Sequence, residues 1–540
     1  MTQWWKDRVV YQIYPRSFQD SNGDGIGDIP GIISRLDALQ KLGVGVLWLS
    51  PVYPSPDADN GYDISDYKDI DPKFGTLQDM DRLLAEAGKR DIKITMDLVV
   101  NHTSDEHEWF QKSRDRIEPY TDYYIWKPAK ADGSPPNNWT SFFMGPAWTW
   151  DEKRGEYYLH LFDKKQPDLN WHNPRVMAEV KDIMRFWLDR GVAGFRCDVI
   201  NVLYKSSYAD GKPRPVVRGL EHYKSQEGTH GILQELHRDV LANYDCYTVG
   251  ECAFVDVEDA KRFSDPENHE LDMVIYFNHL EVDRRVARYI PKSFSAKRLL
   301  SVFTHWQTQL SWNALYLENH DQPRIVSHYG DDGKYWAQSA KMLATLELTL
   351  RGTPFIYEGQ EIGMTNAGFT SMEELNDVGS FGIDKQMRSV GIPKFLRLKW
   401  ILTTTRDNAR TPMQWSAETN AGFSTGKPWL PVTANYKDIN YAAQDNDPQS
   451  VLSWYRRLIA LRAGSDTLKY GVFKPLFARR RVMSYSRELN GETLTVILSF
   501  SKRRTRVKTR GSVVLDTYQK TEFDGILEPY EAIILKENGL

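Results

Sequence analysis

Charged residues stand at the ends of several short apolar stretches of this sequence. The stretch GFRCDVIN (194–201) carries Arg196 and Asp198 two positions apart, and side chains with that spacing point to the same face of a strand. YTVGE ends on Glu251, and ALYLENHD ends on Asp321. Buried charges are costly unless they are paired or used. Each position alone fits a structural ion pair, but together they indicate an active site.

Several carboxylates and an arginine in one place suit the cleavage of a glycosidic bond. One carboxyl group must be ionised to attack or stabilise an oxocarbenium-like carbon, and another must hold a proton for the leaving oxygen. Because Arg196 shares a face with Asp198, we expect it to lower the pKa of Asp198 and keep that group charged. The sequence has no H-E-x-x-H motif and no P-loop, which argues against the reactions those motifs carry.

Eight strand-like runs, alternating with helical patterns, must bring these residues together. The runs are apolar on both faces, which is typical of parallel strands covered by helices. We predict strands at 9–18, 44–52, 92–102, 194–201, 247–251, 273–278, 314–321 and 353–361. Eight such units predict an α/β fold, the (β/α)8 barrel, whose active sites lie at the C-terminal ends of the strands. A doubly wound sheet is the alternative, but no glycine-rich phosphate turn supports it.

Two long connections and a change of pattern divide the chain. Residues 103–171 are rich in Trp, Tyr, Pro and Asp and predict a subdomain inserted after the third strand, while 362–446 enlarge the loop after the eighth. Near the C-terminus, Asn490-Gly491 between two strand-like runs predicts a hairpin. We therefore predict a barrel from 1–102 and 172–464, an insertion at 103–171, and an antiparallel β domain at 465–540.

Composition limits the partners and the compartment. A net charge of -4 over 540 residues gives no indication of a nucleic-acid partner. The three cysteines lack zinc-site spacing, and so small a number fits a reducing compartment. The N-terminal stretch lacks a signal pattern, and no run approaches the roughly 18 apolar residues of a membrane span. We expect a cytoplasmic protein with no membrane partner, acting as a monomer or weak oligomer.

Four stretches resemble, in order and spacing, the signature regions of the α-amylase family, glycoside hydrolase family thirteen: DLVVNH (97–102), GFRCDVIN (194–201), VGE (249–251) and ENHD (318–321). The resemblance covers nearly the whole chain, including the insertion and the C-terminal β domain. It implies that Asp198 is the nucleophile, Glu251 the acid/base, and Asp321 a third carboxylate that holds substrate hydroxyls. A reaction with retained configuration follows, with the carboxyl groups of Asp198 and Glu251 about 5–5.5 Å apart.

Three further stretches resemble the oligo-1,6-glucosidase and dextran glucosidase branch of that family: DNGYDISDY (59–67), QPDLNW (166–171) and RDNARTPMQW (406–415). The resemblance implies that Asp59 and Arg406 grip the non-reducing end of a glucose unit and make the enzyme exo-acting. Tyr62 would stack on this sugar and Phe162 would line its pocket, although plain core packing would also explain both rings. The remaining residues implied to hydrogen-bond the sugar are His102, Arg196 and His320.

Val199, directly after the nucleophile, bears on the linkage. In this branch Val at that position is associated with α-1,6 substrates and Thr with α-1,4 substrates. The resemblance therefore implies an exo-acting α-glucosidase that hydrolyses α-1,6 bonds of isomaltose and short isomalto-oligosaccharides. A trehalose-6-phosphate hydrolase and an α-1,4-glucosidase or transglucosidase remain as alternatives. Non-catalytic relatives, such as transporter heavy chains, lose catalytic acids that this chain keeps.

The stretch DSNGDGIGD (20–28) has the spacing of the first half of an EF-hand loop, with Gly31 where the bidentate Glu would be. Taken alone, this pattern fits a solvated turn equally well. Similar loops in the resembling branch bind Ca²⁺ or Mg²⁺. The resemblance implies a structural ion and no organic cofactor, with the ligands Asp20, Asn22, Asp24, the Ile26 carbonyl and Asp28.

Overall fold

Eight parallel strands form the largest sheet of the structure, a computed structural model that describes residues 3–214, 216–285, 290–479 and 481–537. They are β1 (Val10–Ile13), β2 (Val46–Leu49), β3 (Lys93–Leu98), β4 (Gly194–Cys197), β5 (Tyr247–Glu251), β6 (Met273–Ile275), β7 (Ala314–Leu315) and β8 (Thr353–Tyr357). The order in the sheet is β7-β8-β1-β2-β3-β4-β5-β6, so that β8 pairs with β1. This is the order of a barrel, and it confirms the predicted (β/α)8 fold.

The strands are buried along nearly their whole length. Only Lys93, the first residue of β3, is partly exposed. Every pair of neighbouring strands in this sheet is parallel. The apolar runs therefore face the barrel interior on one side and the helices on the other, as the sequence pattern predicts.

Helices cover the barrel, and the clearest of them begins as its sequence predicts. The side chain of Asn173 accepts a hydrogen bond from the backbone N–H of Arg175, and Pro174 occupies the first turn. The α-helices are Pro15–Phe18, Ile29–Ser34, Leu36–Leu42, Leu77–Gly88, Glu108–Arg114, Pro174–Asp189, Glu227–Asp239, Val257–Ser264, Ala296–Gln309, Ile325–His328, Trp336–Thr349, Val378–Ser389, Lys394–Thr404, Asp407–Arg410, Tyr441–Asp445, Val451–Ala463 and Asp466–Tyr470. Among the described residues, every helix falls short of the length and apolarity needed to cross a bilayer.

Two segments outside the barrel repeat lie beside its strand ends. A three-stranded antiparallel sheet of Trp126–Lys127, Glu156–Leu159 and Trp148–Asp151 lies between β3 and the helix Pro174–Asp189. A β-bridge between His102 and Asp168 joins this segment to the end of β3. The loop after β8 contains the helices Val378–Ser389 and Lys394–Thr404.

The C-terminal part is an antiparallel sheet, as predicted. Its strands are β9 (Val472–Arg479), β10 (Val482–Leu489), β11 (Glu492–Ser499), β12 (Ser512–Asp516) and β13 (Ala532–Lys536), in the order β9-β10-β11-β13-β12. Asn490 and Gly491 both have positive φ, 50° and 82°, which is the backbone of a tight hairpin turn between β10 and β11.

Two further pairs of two-residue strands are present. One joins Thr505–Arg506 to Ile526–Leu527, and the other joins Arg284–Arg285 to Ile290–Pro291.

Gly194, the first residue of β4, lets this strand approach β5 closely. It pairs with Tyr247, and a Cβ added to Gly194 would lie 2.0 Å from the Tyr247 carbonyl oxygen. Its φ of 151° also falls in the region that favours glycine. The close approach sets the spacing between Arg196 on β4 and Glu251 at the end of β5.

Substitution of Gly194 by alanine tests this constraint. We expect Gly194→Ala to lower the free energy of unfolding by about 2–5 kcal/mol, because the methyl group clashes with backbone and the φ is strained. Gly231→Ala is the matched control, since a Cβ there meets nothing within 4 Å and the residue lies inside the helix Glu227–Asp239. The control should be neutral or stabilising by about 1 kcal/mol. Equal denaturant midpoints for the two variants would contradict the constraint.

Candidate active site

One arginine holds three carboxylates at the ends of β3, β4 and β5. Arg196 Nη1 donates to Asp97 Oδ1 at 2.5 Å and to Asp198 Oδ1 at 2.7 Å, and its Nη2 donates to Glu251 Oε2 at 2.7 Å. All four side chains are buried. We call Arg196, Asp97, Asp198 and Glu251 the Arg196 cluster. The structure thus brings together the predicted nucleophile and the predicted acid/base on one guanidinium.

The charge of the Arg196 cluster determines how it titrates. Burial raises the pKa of Asp198 well above its ordinary value; the Arg196 guanidinium opposes this shift, and the like charges of Glu251 and Asp97 add to it. Burial also raises the pKa of Asp97 to about 6. Arg196 therefore acts in the predicted direction, but the predicted net lowering of the Asp198 pKa is wrong. One cation cannot neutralise three buried carboxylates, so the cluster favours keeping a proton.

One carboxyl oxygen of Glu251 is hydrogen-bonded to other groups of the protein. Its Oε2 accepts from Arg196 and, at 3.3 Å, from the backbone N–H of Val199. Val199 has φ 36° and ψ 40°, a left-handed conformation that is strained for a β-branched residue. Two donors on Oε2 leave Oε1 as the oxygen that can carry a proton.

A second arginine joins the predicted sugar-gripping carboxylates. Arg406 Nη2 donates to Asp59 Oδ1 at 2.9 Å, its Nη1 lies 3.4 Å from Asp321 Oδ1, and its Nε donates to Asp377 Oδ1 at 2.8 Å. We call Arg406, Asp59, Asp321 and Asp377 the Arg406 cluster. Arg410 adds a further donor to Asp321 Oδ1 at 2.7 Å. Burial would raise the pKa of Asp321, but His320 and these arginines outweigh it and lower that pKa.

The two predicted histidines are neutral. Burial lowers the pKa of His102 to about 4 and that of His320 to about 3. Gln12 Nε2 donates to His320 Nδ1 at 2.8 Å, so the ring proton resides on Nε2, which lies 3.4 Å from Asp321 Oδ2. The ring of Tyr62 stacks on His320 at 5.2 Å, and its hydroxyl donates to Asp97 Oδ2 at 3.2 Å.

A cavity of about 410 Å³ opens over both clusters. Nine predicted site residues line it: Asp59, Tyr62, His102, Phe162, Asp198, Val199, Glu251, Asp321 and Arg406. Arg196 and His320 are 1% and 0% exposed, and they lie behind these residues rather than on the wall. The predicted contact of Arg196 and His320 with the sugar stays a prediction.

Several residues of the site lie outside the sequence predictions. Phe142, Phe143, Phe254 and Phe277 also line the cavity. Gln166 Nε2, behind the wall, contacts Asp59 Oδ2 at 3.3 Å and His102 Nε2 at 3.2 Å. Gln166 is the first residue of QPDLNW, and the resemblance of that stretch to the oligo-1,6-glucosidase branch could have identified it. The four aromatic residues lie in loops, where no sequence periodicity marks them.

The loop predicted to bind an ion is held by its own hydrogen bonds. Asp20 accepts from the backbone N–H groups of Gly23 and Gly25, and Asp28 accepts from those of Ser21 and Gly31. Within the described ranges, no three His, Cys, Asp or Glu side chains are arranged to hold a metal ion. The oxygen donors of the loop are of the type that Ca²⁺ prefers. The Ca²⁺ or Mg²⁺ site stays a prediction.

The barrel and this site define a glycoside hydrolase. Residues 12–471 match the alpha-amylase catalytic domain, so the chain belongs to the alpha-amylase family. It is 48% identical to an oligo-1,6-glucosidase from Parageobacillus thermoglucosidasius, covering 99% of both chains, and 43% identical to a trehalose-6-phosphate hydrolase from Bacillus subtilis strain 168, covering 99% of this chain and 98% of that one. The crystal structure of an isomaltulose synthase from Protaminobacter rubrum superposes with a TM-score of 0.96 at 40% identity over 100% of both chains.

Asp377 is the anchor of Arg406 and gives a test of the Arg406 cluster. Its other oxygen accepts from Ser380 Oγ at 2.7 Å, and the pKa of Asp377 is about 2 because the Arg406 and Arg410 charges outweigh burial. We expect Asp377→Asn to raise KM about tenfold with a smaller change in kcat, since a weakened hold on Arg406 reduces substrate binding. Steady-state kinetics on an α-glucoside measures this.

Asp384→Asn is the matched control for that variant. Asp384 lies on the helix that Asp377 caps, Val378–Ser389, and its ion pair with Arg397 at 2.8 Å does not involve Arg406. The control should leave KM unchanged. Equal KM changes in the two variants would show that Asp377 acts only through the stability of that helix.

Proposed function

We propose that this chain is a retaining, exo-acting α-glucosidase that hydrolyses α-1,6 bonds at the non-reducing end of isomaltose and short isomalto-oligosaccharides. The observation that supports the exo-acting assignment is the Arg406 cluster. Asp59, Arg406 and Asp321 join across one side of the cavity, where a terminal glucose unit would meet charged groups instead of an open groove. A pocket closed in this way accepts a chain end and excludes the middle of a chain.

The Arg196 cluster supports a retaining reaction in two steps. Glu251 gives the proton on Oε1 to the glycosidic oxygen, while Asp198 attacks the anomeric carbon and forms a glycosyl ester. Glu251 then takes a proton from water, whose oxygen attacks the same carbon and releases Asp198. Since Arg196 holds Asp198 Oδ1, the attacking oxygen is Oδ2. One guanidinium spanning both carboxyl groups supports the short separation of the retaining mechanism over the wider one of inverting enzymes.

The α-1,6 preference is supported by Val199 and by the relatives. The Val199 side chain lines the cavity beside Asp198 and presents no hydroxyl to a substrate. The relative that is 48% identical over 99% of both chains is named for α-1,6 hydrolysis. We propose the same linkage here, together with the predicted cytoplasmic location.

Trehalose-6-phosphate hydrolysis is the second candidate. A relative of that name is 43% identical over nearly the whole chain. Such a substrate needs a cationic contact on the leaving-group side, and Arg284 lines the cavity with its Nε 3.5 Å from Asp283. The two candidates share the catalytic groups and differ in the linkage that is cleaved and in the sugar that leaves.

A substrate panel separates the candidates. We expect glucose release from isomaltose and panose, with weaker release from maltose and sucrose and the least from trehalose and trehalose-6-phosphate. Initial rates at matched concentrations, measured by a glucose-specific assay, give the order. Activity on trehalose-6-phosphate alone would overturn the α-1,6 assignment and leave the hydrolase class intact.

Substitution of each of the two catalytic carboxyl groups should lower kcat in a different pattern across substrates. Asp198→Ala should lower kcat about 10³-fold or more on every α-glucoside, because no glycosyl ester forms. Glu251→Gln should lower it comparably on isomaltose and less on α-glucosyl fluoride, since fluoride leaves without protonation. Asp37→Asn, an exposed carboxylate that pairs with Arg90, should retain wild-type rates. Full activity of Asp198→Ala would contradict the mechanism.

A further inference from the structure

Phe254 is an aromatic residue displayed at the rim of the cavity. Its side chain is 54% exposed although it is large and apolar, and it contributes to the cavity wall. Its φ of 54° is left-handed, which is unusual for a bulky residue. Strained backbone at a functional site persists only where the surrounding structure holds it in place.

The neighbouring residues hold this strained segment. The backbone N–H of Ala253 donates to Asn201 Oδ1 at 2.9 Å, and Asn201 Nδ2 donates to the Ala253 carbonyl at 2.9 Å. Lys224 Nζ donates to the Phe254 carbonyl at 3.3 Å, and Lys224 is itself paired with Asp259 at 2.7 Å. The hydrogen bonds fix the backbone and leave the ring facing solvent, so the placement of the ring is not a result of core packing.

Phe254 ends a row of aromatic rings that leads out of the buried part of the site. His102 and Phe162 lie 5.0 Å apart, Phe162 and Phe142 stack at 4.9 Å with an angle of 11° between their planes, and Phe142 and Phe254 are 6.0 Å apart. We call Phe162, Phe142 and Phe254 the aromatic row. It runs from the buried His102 to the exposed Phe254 along the wall of the cavity.

We propose that Phe254 binds the leaving-group side of the substrate by stacking on the apolar face of a glucose unit beyond the cleaved bond. The inference rests on the proposed exo action, because the Arg406 cluster then takes the terminal unit and the rest of the chain extends toward the rim. A pyranose ring presents C–H bonds on its faces, and an exposed aromatic ring is the protein surface that packs against them. The ligand class is an oligosaccharide of two or more units.

Phe254→Asn tests the proposal without relieving or adding strain. Asparagine tolerates the left-handed conformation, so this variant removes the ring and keeps the backbone. We expect KM for isomaltotriose to rise about three- to tenfold, which is the usual value of one aromatic contact. Turnover of α-glucosyl fluoride should stay within about twofold, because its leaving group is too small to reach the rim. Phe254→Trp should keep the wild-type KM for isomaltotriose.

The control is Phe395→Ala, an exposed aromatic residue at 70% exposure on the helix Lys394–Thr404 that does not line the cavity. It should change neither substrate's kinetics. Equal losses on α-glucosyl fluoride and isomaltotriose in Phe254→Asn, or no loss on either, would overturn the proposal. If the wild-type enzyme fails to cleave isomalto-oligosaccharides, the α-1,6 assignment fails instead, and the same comparison with the oligosaccharide it does cleave still decides the role of Phe254.

Discussion

The structure depends on one electrostatic constraint: a single buried guanidinium must satisfy three carboxylates from three neighbouring strands. Asp97, Arg196 and Val249 are direct neighbours across β3, β4 and β5, so the register of the barrel sets the spacing of the charges. Removing the Arg196 charge would leave three carboxylates unbalanced in a largely buried place. The same imbalance favours a proton within the Arg196 cluster.

The Arg406 cluster repeats this arrangement with a different result. Arg406 also meets three carboxylates, but Arg410 adds a second cation, and the pKa of Asp321 is lowered where that of Asp198 is raised. Asp321 therefore suits the binding of sugar hydroxyls as an ionised acceptor, whereas the Arg196 cluster suits proton transfer. Under the proposed function, two arginines with opposite local charge balances divide binding from catalysis within one cavity.

The strand-end carboxylates were accessible to sequence reasoning because strand periodicity and the order of parallel strands place them together. The long-range partners were not: Asp377 lies 29 positions before Arg406 in an irregular loop, and no pattern marks it. The sign of the Asp198 pKa shift also escaped prediction, since it depends on how completely the group is buried and how many like charges surround it. The role of Phe254 could not be predicted for a similar reason, because exposure and a positive φ are properties of the folded loop.

The two hydrogen bonds that Glu251 Oε2 accepts have a consequence for the fate of the glycosyl ester. In the proposed mechanism, Oε1 gives its proton to the departing sugar and later takes one from the incoming acceptor, so the departing sugar and the acceptor occupy the same position. Water and a second sugar hydroxyl therefore compete for one position beside the aromatic row. The ratio of hydrolysis to sugar-to-sugar transfer then depends on how long the leaving sugar stays on those rings. Its residence time at the rim therefore determines which product forms.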